Sequence, residues 1–530
     1  MNKLFVFATI LLASSFTFAA TSQYTLTFRD DPATTVCIGW SGDPGTIYYG
    51  TTDEGTNYTN YPNTQAITRS GTAHNITRRF SRLTGLTPNT IYYFVIRDDA
   101  GQTSARFYFR TMSDDPNDPI SFISGGDTRD GERIPVIGTY VENCPSGDCR
   151  ERRRDGNKLV AKIRPDFIAF NGDLVLNTPV ISDTEDELNN WLDDWQLTIT
   201  SDGRIFPVTF IQGNHEDNSD VYNLFDVPQD EFYALDFNGG LMRMYMLNSE
   251  LNPCSNANQL NWFTNDLQTH TGTSSDPIWK FATYHAPVYG MGEYGLEPDQ
   301  MNCWVPLFEQ YNVRLGMESH GHVTKWTYPS ISNAAGDDFE LAPTEFDGVV
   351  YIGEGQWGAP HRELEFTGAN QKPYVRDQDH FDNYFFIRVN NQRTSIVSVR
   401  FDNINQVTAS TDNSLGSDLP TNALIWTPSN GGEVILNLPI DTSNLNELDK
   451  IRSKVYPTIT DETVNIQFDQ VVDGATIELY NSLGKMCSSV DIEQVNNYEM
   501  DVKDACSGVN YIYIRLNDGT IESHKIVIAE

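Results

Sequence analysis

Five short polar clusters carry the side chains of this chain that could do chemistry: Gly126-Asp127, Gly172-Asp173, Gly213-Asn214-His215-Glu216, His285-Ala286-Pro287 and His320-Gly321-His322. Each follows an apolar run that reads as a strand. Together they offer carboxylate oxygens, an amide oxygen and imidazole nitrogens. That mixed hard and borderline donor set suits Zn, Mn, Fe or Mg, and neither Ca alone nor a thiolate-preferring metal. A single carboxylate can bridge two ions about 3.5–4 Å apart, and such a pair can clamp the attacking and leaving oxygens of a phosphoryl displacement. Taken singly, a GD dipeptide after a strand is an ordinary turn and a lone histidine an ordinary packed side chain. Yet His215, His285, His320 and His322 are four of only nine histidines, and each stands at a strand end, where α/β sheets bind ligands. The metal reading is the stronger one.

The elements that must position these clusters form an alternating pattern. Apolar runs at Ile120 to Ile123, Phe167 to Phe170, Ile205 to Ile211 (broken by Pro207), Phe281 to Tyr284 and Val313 to Met317 read as buried strands. Helical stretches intervene, for instance Gly156 to Ile163 and Thr184 to Leu197. This argues for a layered α/β domain over residues 120–402. Residues 21–112 instead show short alternating strands with turn signals, and read as a small β-sandwich with Trp40 in its core. The Leu86-Thr87-Pro88-Asn89-Thr90-Ile91-Tyr92-Tyr93 turn and strand resemble the corner of a fibronectin type III-like sandwich. Ser113 to Pro119 has linker composition, and residues 403–449 read as a linker of uncertain order in which Glu433 to Leu438 could be a strand. Short strands return over residues 450–530, a second small β-sandwich.

Composition restricts the partners. With 72 acidic against 36 basic residues, a formal net charge of −36 repels nucleic acid and anionic lipid. An anionic substrate would need a local positive source, such as metal ions. Lys3, an apolar run from Leu4 to Ala13 and the small residues around Ala19-Ala20 read as a secretory signal peptide over residues 1–20. No segment is long and apolar enough for a transmembrane helix. In an oxidising compartment the seven cysteines could pair as Cys144 with Cys149, Cys254 with Cys303 and Cys487 with Cys506, leaving Cys37 as a buried thiol.

The order GD (127), GD (173), GNHE (213–216), the histidine of TYHAP (283–287) and HGH (320–322) resembles the calcineurin-like metallophosphoesterase superfamily. The preceding β-sandwich, the Trp262-to-Leu267 segment and Gly348-Val349-Val350-Tyr351-Ile352-Gly353 followed by Trp357-Gly358 narrow the likeness to its purple acid phosphatase-like branch. The resemblance implies two metal ions, one held by Asp127, Asp173 and His322, the other by Asp173 as bridge with Asn214, His285 and His320. It implies that His215 contacts the phosphoryl group or protonates the leaving oxygen. The implied activity is hydrolysis of phosphate monoesters by a metal-bound hydroxide. A phosphodiesterase of the same fold and a catalytically weak metal- or phosphate-binding surface protein are the alternatives.

Three positions depart from the pattern. Arg129 stands where most of the superfamily has a histidine, Leu176 where purple acid phosphatases have a tyrosinate, and Ser319 where a glycine precedes the histidine pair. Both usual fourth protein ligands of the first metal are therefore missing, and Asp130, Asn177 or water are the candidates to replace them. Arg129 either binds a phosphate oxygen or pairs with Asp130 or Glu132. Without the tyrosinate no purple colour is expected. Glu216 reads as orienting a ligand imidazole at most.

Toward the carboxyl end, Val455-Tyr456-Pro457, Val464-Asn465-Ile466, Ile477 to Lys485, Ser507 to Ile512 and Lys525 to Ile528 resemble the sorting domain of the type IX secretion system of Bacteroidetes-type bacteria. The likeness implies export across the outer membrane through that machinery. An adhesion or carbohydrate-binding sandwich is the alternative.

Overall fold

The computed structural model describes residues 21–129, 133–134, 139–140, 149–177, 184–217, 219–273, 276–291, 295–438, 453–481, 485–503, 507–517 and 521–529. The expected signal peptide lies outside them, as do Asp130, Glu132, Cys144 and Cys506. The chain divides into two compact units, Met1–Leu438 and Pro439–Glu530. Among the described residues no helix is long and apolar enough to cross a membrane.

The first unit opens with β1 (Thr21–Thr27), β2 (Val36–Gly42), β3 (Gly45–Gly50), β4 (Asn63–Ala66), β5 (Arg69–Ala73), β6 (Ile76–Leu83), β7 (Ile91–Asp98) and β8 (Phe107–Arg110). Then come β9 (Ile120–Gly125), a two-residue pair β10 (Arg133–Ile134) and β11 (Thr139–Tyr140), β12 (Phe167–Phe170) and β13 (Pro207–Phe210). β12 runs parallel to both β9 and β13. These three strands deliver the first three clusters to one edge of the sheet.

Composition changes at Ser113 to Pro119, but the sheet does not break there. β1 pairs in parallel with β13, so β1, β2, β6 and β5 extend the same sheet, while β4, β3, β7 and β8 form another. Residues 21–111 and the α/β portion share one hydrophobic core. This pairing joins strands about 180 positions apart and has no local sequence signal.

A second sheet is ordered β14 (Tyr233–Phe237), β15 (Met242–Met246), β16 (Trp279–Thr283), β17 (Leu315–Met317), β21 (Val350–Gly353), β18 (Thr324–Thr327) and β22 (Val375–Asp379). A short hairpin of β19 (Ser330–Ser332) and β20 (Phe339–Leu341) separates β18 from β21 in sequence. The two sheets meet through aromatic rings, with Phe167 stacked on Phe237 at 4.5 Å. Phe170, three residues on, points to the opposite face and meets Trp191 and Trp195 of helix α2 (Thr184–Trp195), reached after α1 (Cys149–Ile163). On the second sheet, Tyr245 packs on Phe263 of α4 (Ala257–Thr269), which follows α3 (Asp220–Phe225).

Helix α1 begins two turns before the expected Gly156. The run Arg150 to Arg154 looks solvated in sequence, yet Arg153 is buried and donates to Asp194 at 2.6 Å, where Arg150 and Arg154 also bind. One buried carboxylate from α2 thus anchors three guanidiniums of α1, a pairing that needs both helices in place. In the segment read as a linker, β25 (Val434–Asn437) pairs with β24 (Arg393–Arg400), itself paired to β23 (Asn383–Val389) beside β9, and Trp426 is buried.

Cys254 and Cys303 are joined, Cys149 is disulfide-bonded and Cys37 is a buried free thiol. Cys487 is a free thiol, so the expected bond to Cys506 is not made. Among its described residues the second unit is all β, with a core built from alternating residues such as Val464, Ile466 and Phe468 on one strand and Ile512, Ile514 and Leu516 on another.

Candidate metal centre

Three strand-end loops are laced together before any ion is considered. Asp127 donates its N–H to the Gly172 carbonyl at 3.0 Å, and Thr128 donates to Asp173 at 2.9 Å. Glu216 is buried and accepts from three backbone amides: Asp173 at 2.9 Å, Leu174 at 2.7 Å and Gly213 at 2.7 Å. Gly172 (φ 88°) lets this happen, because a Cβ there would sit 2.6 Å from the Gly213 nitrogen. Glu216 therefore orients no imidazole, contrary to expectation; it fastens the Asp173 loop to the Asn214 loop. Burial and the neighbouring Asp173 push its carboxyl up to about 8. Glu216→Ala should leave three buried N–H groups without an acceptor and cost at least about 3 kcal/mol in denaturant unfolding. Glu216→Gln, which keeps one acceptor oxygen, should cost less.

The expected ligand side chains converge. Asp127 and Asp173 are fully buried, both with left-handed backbone (φ 55° and 58°) that turns them inward. His285 Nε2 lies 3.2 Å from Asp173 Oδ1 and 3.0 Å from Asn214 Oδ1, and His320 Nδ1 lies 2.8 Å from the same Asn214 oxygen. His322 Nε2 stands 3.2 Å from Asp127 Oδ1. The ligand atoms of Asp127, Asp173 and His322 lie within 4.8 Å of one another, and so do those of Asp173, His285 and His320. Asp173 belongs to both groups.

Hydrogen bonds to the far side of each ring set the tautomers. His285 Nδ1 binds the Asn171 carbonyl at 2.8 Å and His322 Nδ1 the Pro360 carbonyl at 2.7 Å. A carbonyl only accepts, so each Nδ1 carries the proton and each ring turns its Nε2 toward the carboxylates, free to offer a lone pair once Nε2 is deprotonated. Asp127 Oδ1 and Asp173 Oδ2 are buried without a hydrogen-bond partner. Buried carboxylate oxygens brought this close need positive charge between them, a proton or a metal ion, and this donor set fits one or two ions of the Zn, Mn, Fe or Mg kind.

The electrostatics express the same demand. Burial opposes charge on every member, yet His285, His215 and His320 hold the Asp173 carboxyl far below its usual range. Burial likewise disfavours the His285 imidazolium, but Asp173 lifts it to about 10. His320 is driven down to about 3 by burial and by His285.

His215 lies outside both groups. Its Nδ1 is 2.8 Å from the Leu176 carbonyl, and its Nε2 is 3.8 Å from Asp173 Oδ2. Leu176, at the position of the missing tyrosinate, thus serves the site through its main chain. Arg129 is buried; burial depresses His215 and His322, and the Arg129 charge adds to the effect on both. Asn177 accepts from the Thr184 hydroxyl at 3.0 Å. Ser319 is buried and its N–H binds the His285 carbonyl at 2.9 Å. Arg362 was not foreseen: it donates to the His320 carbonyl at 3.1 Å from a loop with no motif. A third group, His74, Asp217 and Asp220, is already satisfied, since Asp220 Oδ2 accepts the Asp217 N–H and meets His74 Nε2, both at 2.9 Å.

Comparison with known proteins follows the same divisions. Residues 21–111 match the purple acid phosphatase N-terminal domain, residues 146–324 the calcineurin-like phosphoesterase family, and residues 454–529 the secretion system C-terminal sorting domain. Two uncharacterized proteins from strains of Mycobacterium tuberculosis are 25% identical over 287 residues, covering 49% of this chain and 52% of theirs. The chain therefore spans about half the length of these curated relatives. Among solved structures, a purple acid phosphatase from yellow lupin (Lupinus luteus) superposes with a TM-score of 0.57 at 14% identity, over 79% of this chain and 75% of that one. PhoD superposes with a TM-score of 0.51 at 12% identity, over 78% and 90%. The chain thus carries, in order, stretches that match a purple acid phosphatase N-terminal domain, a calcineurin-like phosphoesterase and a secretion system sorting domain.

Proposed function

We propose that this protein is an exported, metal-dependent phosphoric ester hydrolase that cleaves phosphate monoesters with two ions. The observation that carries the reading is the shared carboxylate: Asp173 completes a group with Asp127 and His322 and another with His285 and His320, with Asn214 Oδ1 against the second. Bound there, the ions would supply Lewis acidity and an activated water, lowering its pKa from about 16 to roughly 7. The chain's own groups do the rest. Buried hydrogen bonds to the Asn171 and Pro360 carbonyls and to the Glu216 carboxylate hold the ligands and their loops rigid, so little reorganisation accompanies reaction. His215, anchored through Nδ1, presents Nε2 to the phosphoryl group or to the leaving oxygen. Arg129 adds fixed positive charge beside His215 and His322, in a protein whose net charge of −36 would otherwise repel the substrate.

The two sheets of residues 21–111 support the fibronectin type III-like sandwich reading of that portion, and the sorting-domain match supports export by the type IX route. The test is turnover of a chromogenic monoester and a chromogenic diester by the purified protein, with metal analysis of the same sample. Two ions per chain and faster monoester cleavage are expected. Faster diester cleavage would move the assignment to a phosphodiesterase, and a fully metallated protein that cleaves neither would overturn it.

A further inference from the structure

Behind the His320-Gly321-His322 turn lies a buried ion triad that belongs to neither ligand group. Lys325 Nζ is 2.6 Å from Glu318 Oε2 and 2.9 Å from Glu354 Oε1, and it donates to the Tyr289 carbonyl at 2.7 Å. All three side chains are at most 1% exposed. Burying three charges is costly unless each is held by several partners, and here each is. Their placement shows what they hold. Glu318 and Lys325 bracket the turn in sequence, so their ion pair clasps it at both ends. Glu318 Oε1 also accepts from the Tyr284 hydroxyl at 3.0 Å and the Val288 N–H at 2.9 Å, on either side of His285. Glu354 takes the His322 N–H on its main-chain carbonyl at 2.7 Å and the Met291 N–H on its carboxylate at 2.9 Å. The turn itself rests on Glu354: a Cβ on Gly321 would overlap that carboxylate.

We propose that Glu318, Lys325 and Glu354 are positioning residues that lock the His285 and His320–His322 loops in their ligating geometry before any ion binds, and so set the metal affinity of the centre. This rests on the metal-centre reading, and the two are separable: wild-type protein without metal affinity would refute the reading, whereas unchanged affinity in the variants below would refute the triad's role alone. Removing only the Lys325 ammonium would strand two buried carboxylates and threaten folding. The informative variant is the neutral set Glu318→Gln, Lys325→Met and Glu354→Gln, which preserves volume and removes the burial cost together with the attraction. Affinity is read by competing Zn against a chelator, and folding by circular dichroism of the metal-free protein. A folded variant with about 10- to 100-fold weaker Zn binding is expected; a folded variant with wild-type binding would overturn the proposal. Should that variant fail to fold, a double-mutant cycle decides. Gly321→Ala should weaken Zn binding by forcing the turn off Glu354, and Gly321→Ala with Glu354→Ala should bind no worse than Glu354→Ala alone. Additive losses would overturn the proposal.

Discussion

Replacing Asp173 with alanine is expected to empty both metal positions at once and to reduce turnover by at least about 10³-fold, which is about 4 kcal/mol of barrier. Asp173 is fully buried, is common to both ligand groups and has one oxygen with no hydrogen-bond partner. Its loss removes the one charge that both ions would share. Asp127→Ala is the contrasting case, because Asp127 belongs to one ligand group only, with Asp173 and His322; it should lower the metal content from two ions to one. Alanine at position 173 also has to adopt a φ of 58°, a conformation that aspartate and asparagine tolerate better. Asp173→Asn is therefore the control that keeps the turn and removes the charge. Both substitutions should give metal-free protein by elemental analysis, and the asparagine variant should unfold at the higher temperature. Unchanged turnover in either would refute the shared-carboxylate assignment.

The candidate ligands were legible in the sequence because each follows an apolar run: the pattern that makes a buried strand also announces where it ends. Asp127, Asp173, Asn214, His285, His320 and His322 all stand at such ends and all converge. What the sequence hid was the burial of charge. Arg153, Lys325, Glu318 and Glu354 look like solvated residues until partners distant in the chain surround them. Glu216 was visible in its motif, but its acceptor role depends on the approach of the Asp173 and Asn214 loops, which no local pattern encodes. The continuity of the sheet across β1 and β13 was concealed for the same reason. Local periodicity shows that a strand exists and which face it buries, but not which strand lies beside it.

The departures at Arg129 and Leu176 bear on His215, and here the second large effect is expected. Where a tyrosinate would have served the first ion, the Leu176 main chain instead grips His215 Nδ1 at 2.8 Å. That bond leaves Nε2 as the ring nitrogen able to exchange a proton at the reaction centre. His215→Ala should retain both ions, because His215 belongs to neither ligand group, and it should lower kcat by roughly 10²- to 10⁴-fold. The size of the loss should depend on the leaving group. If Nε2 protonates the departing oxygen, a phosphate ester of a poor leaving alkyl alcohol should suffer most and a nitrophenyl ester, whose phenolate departs unaided, much less. If Nε2 only binds a phosphoryl oxygen, both esters should lose the same factor. A Brønsted series measured on wild type and His215→Ala therefore separates the two roles: a steeper dependence on leaving-group pKa in the variant assigns proton donation, and parallel lines assign phosphoryl binding. Parallel lines with metal content reduced would instead show that the His215 ring, through its bond to the Leu176 carbonyl, helps to hold the Asp173 loop in place.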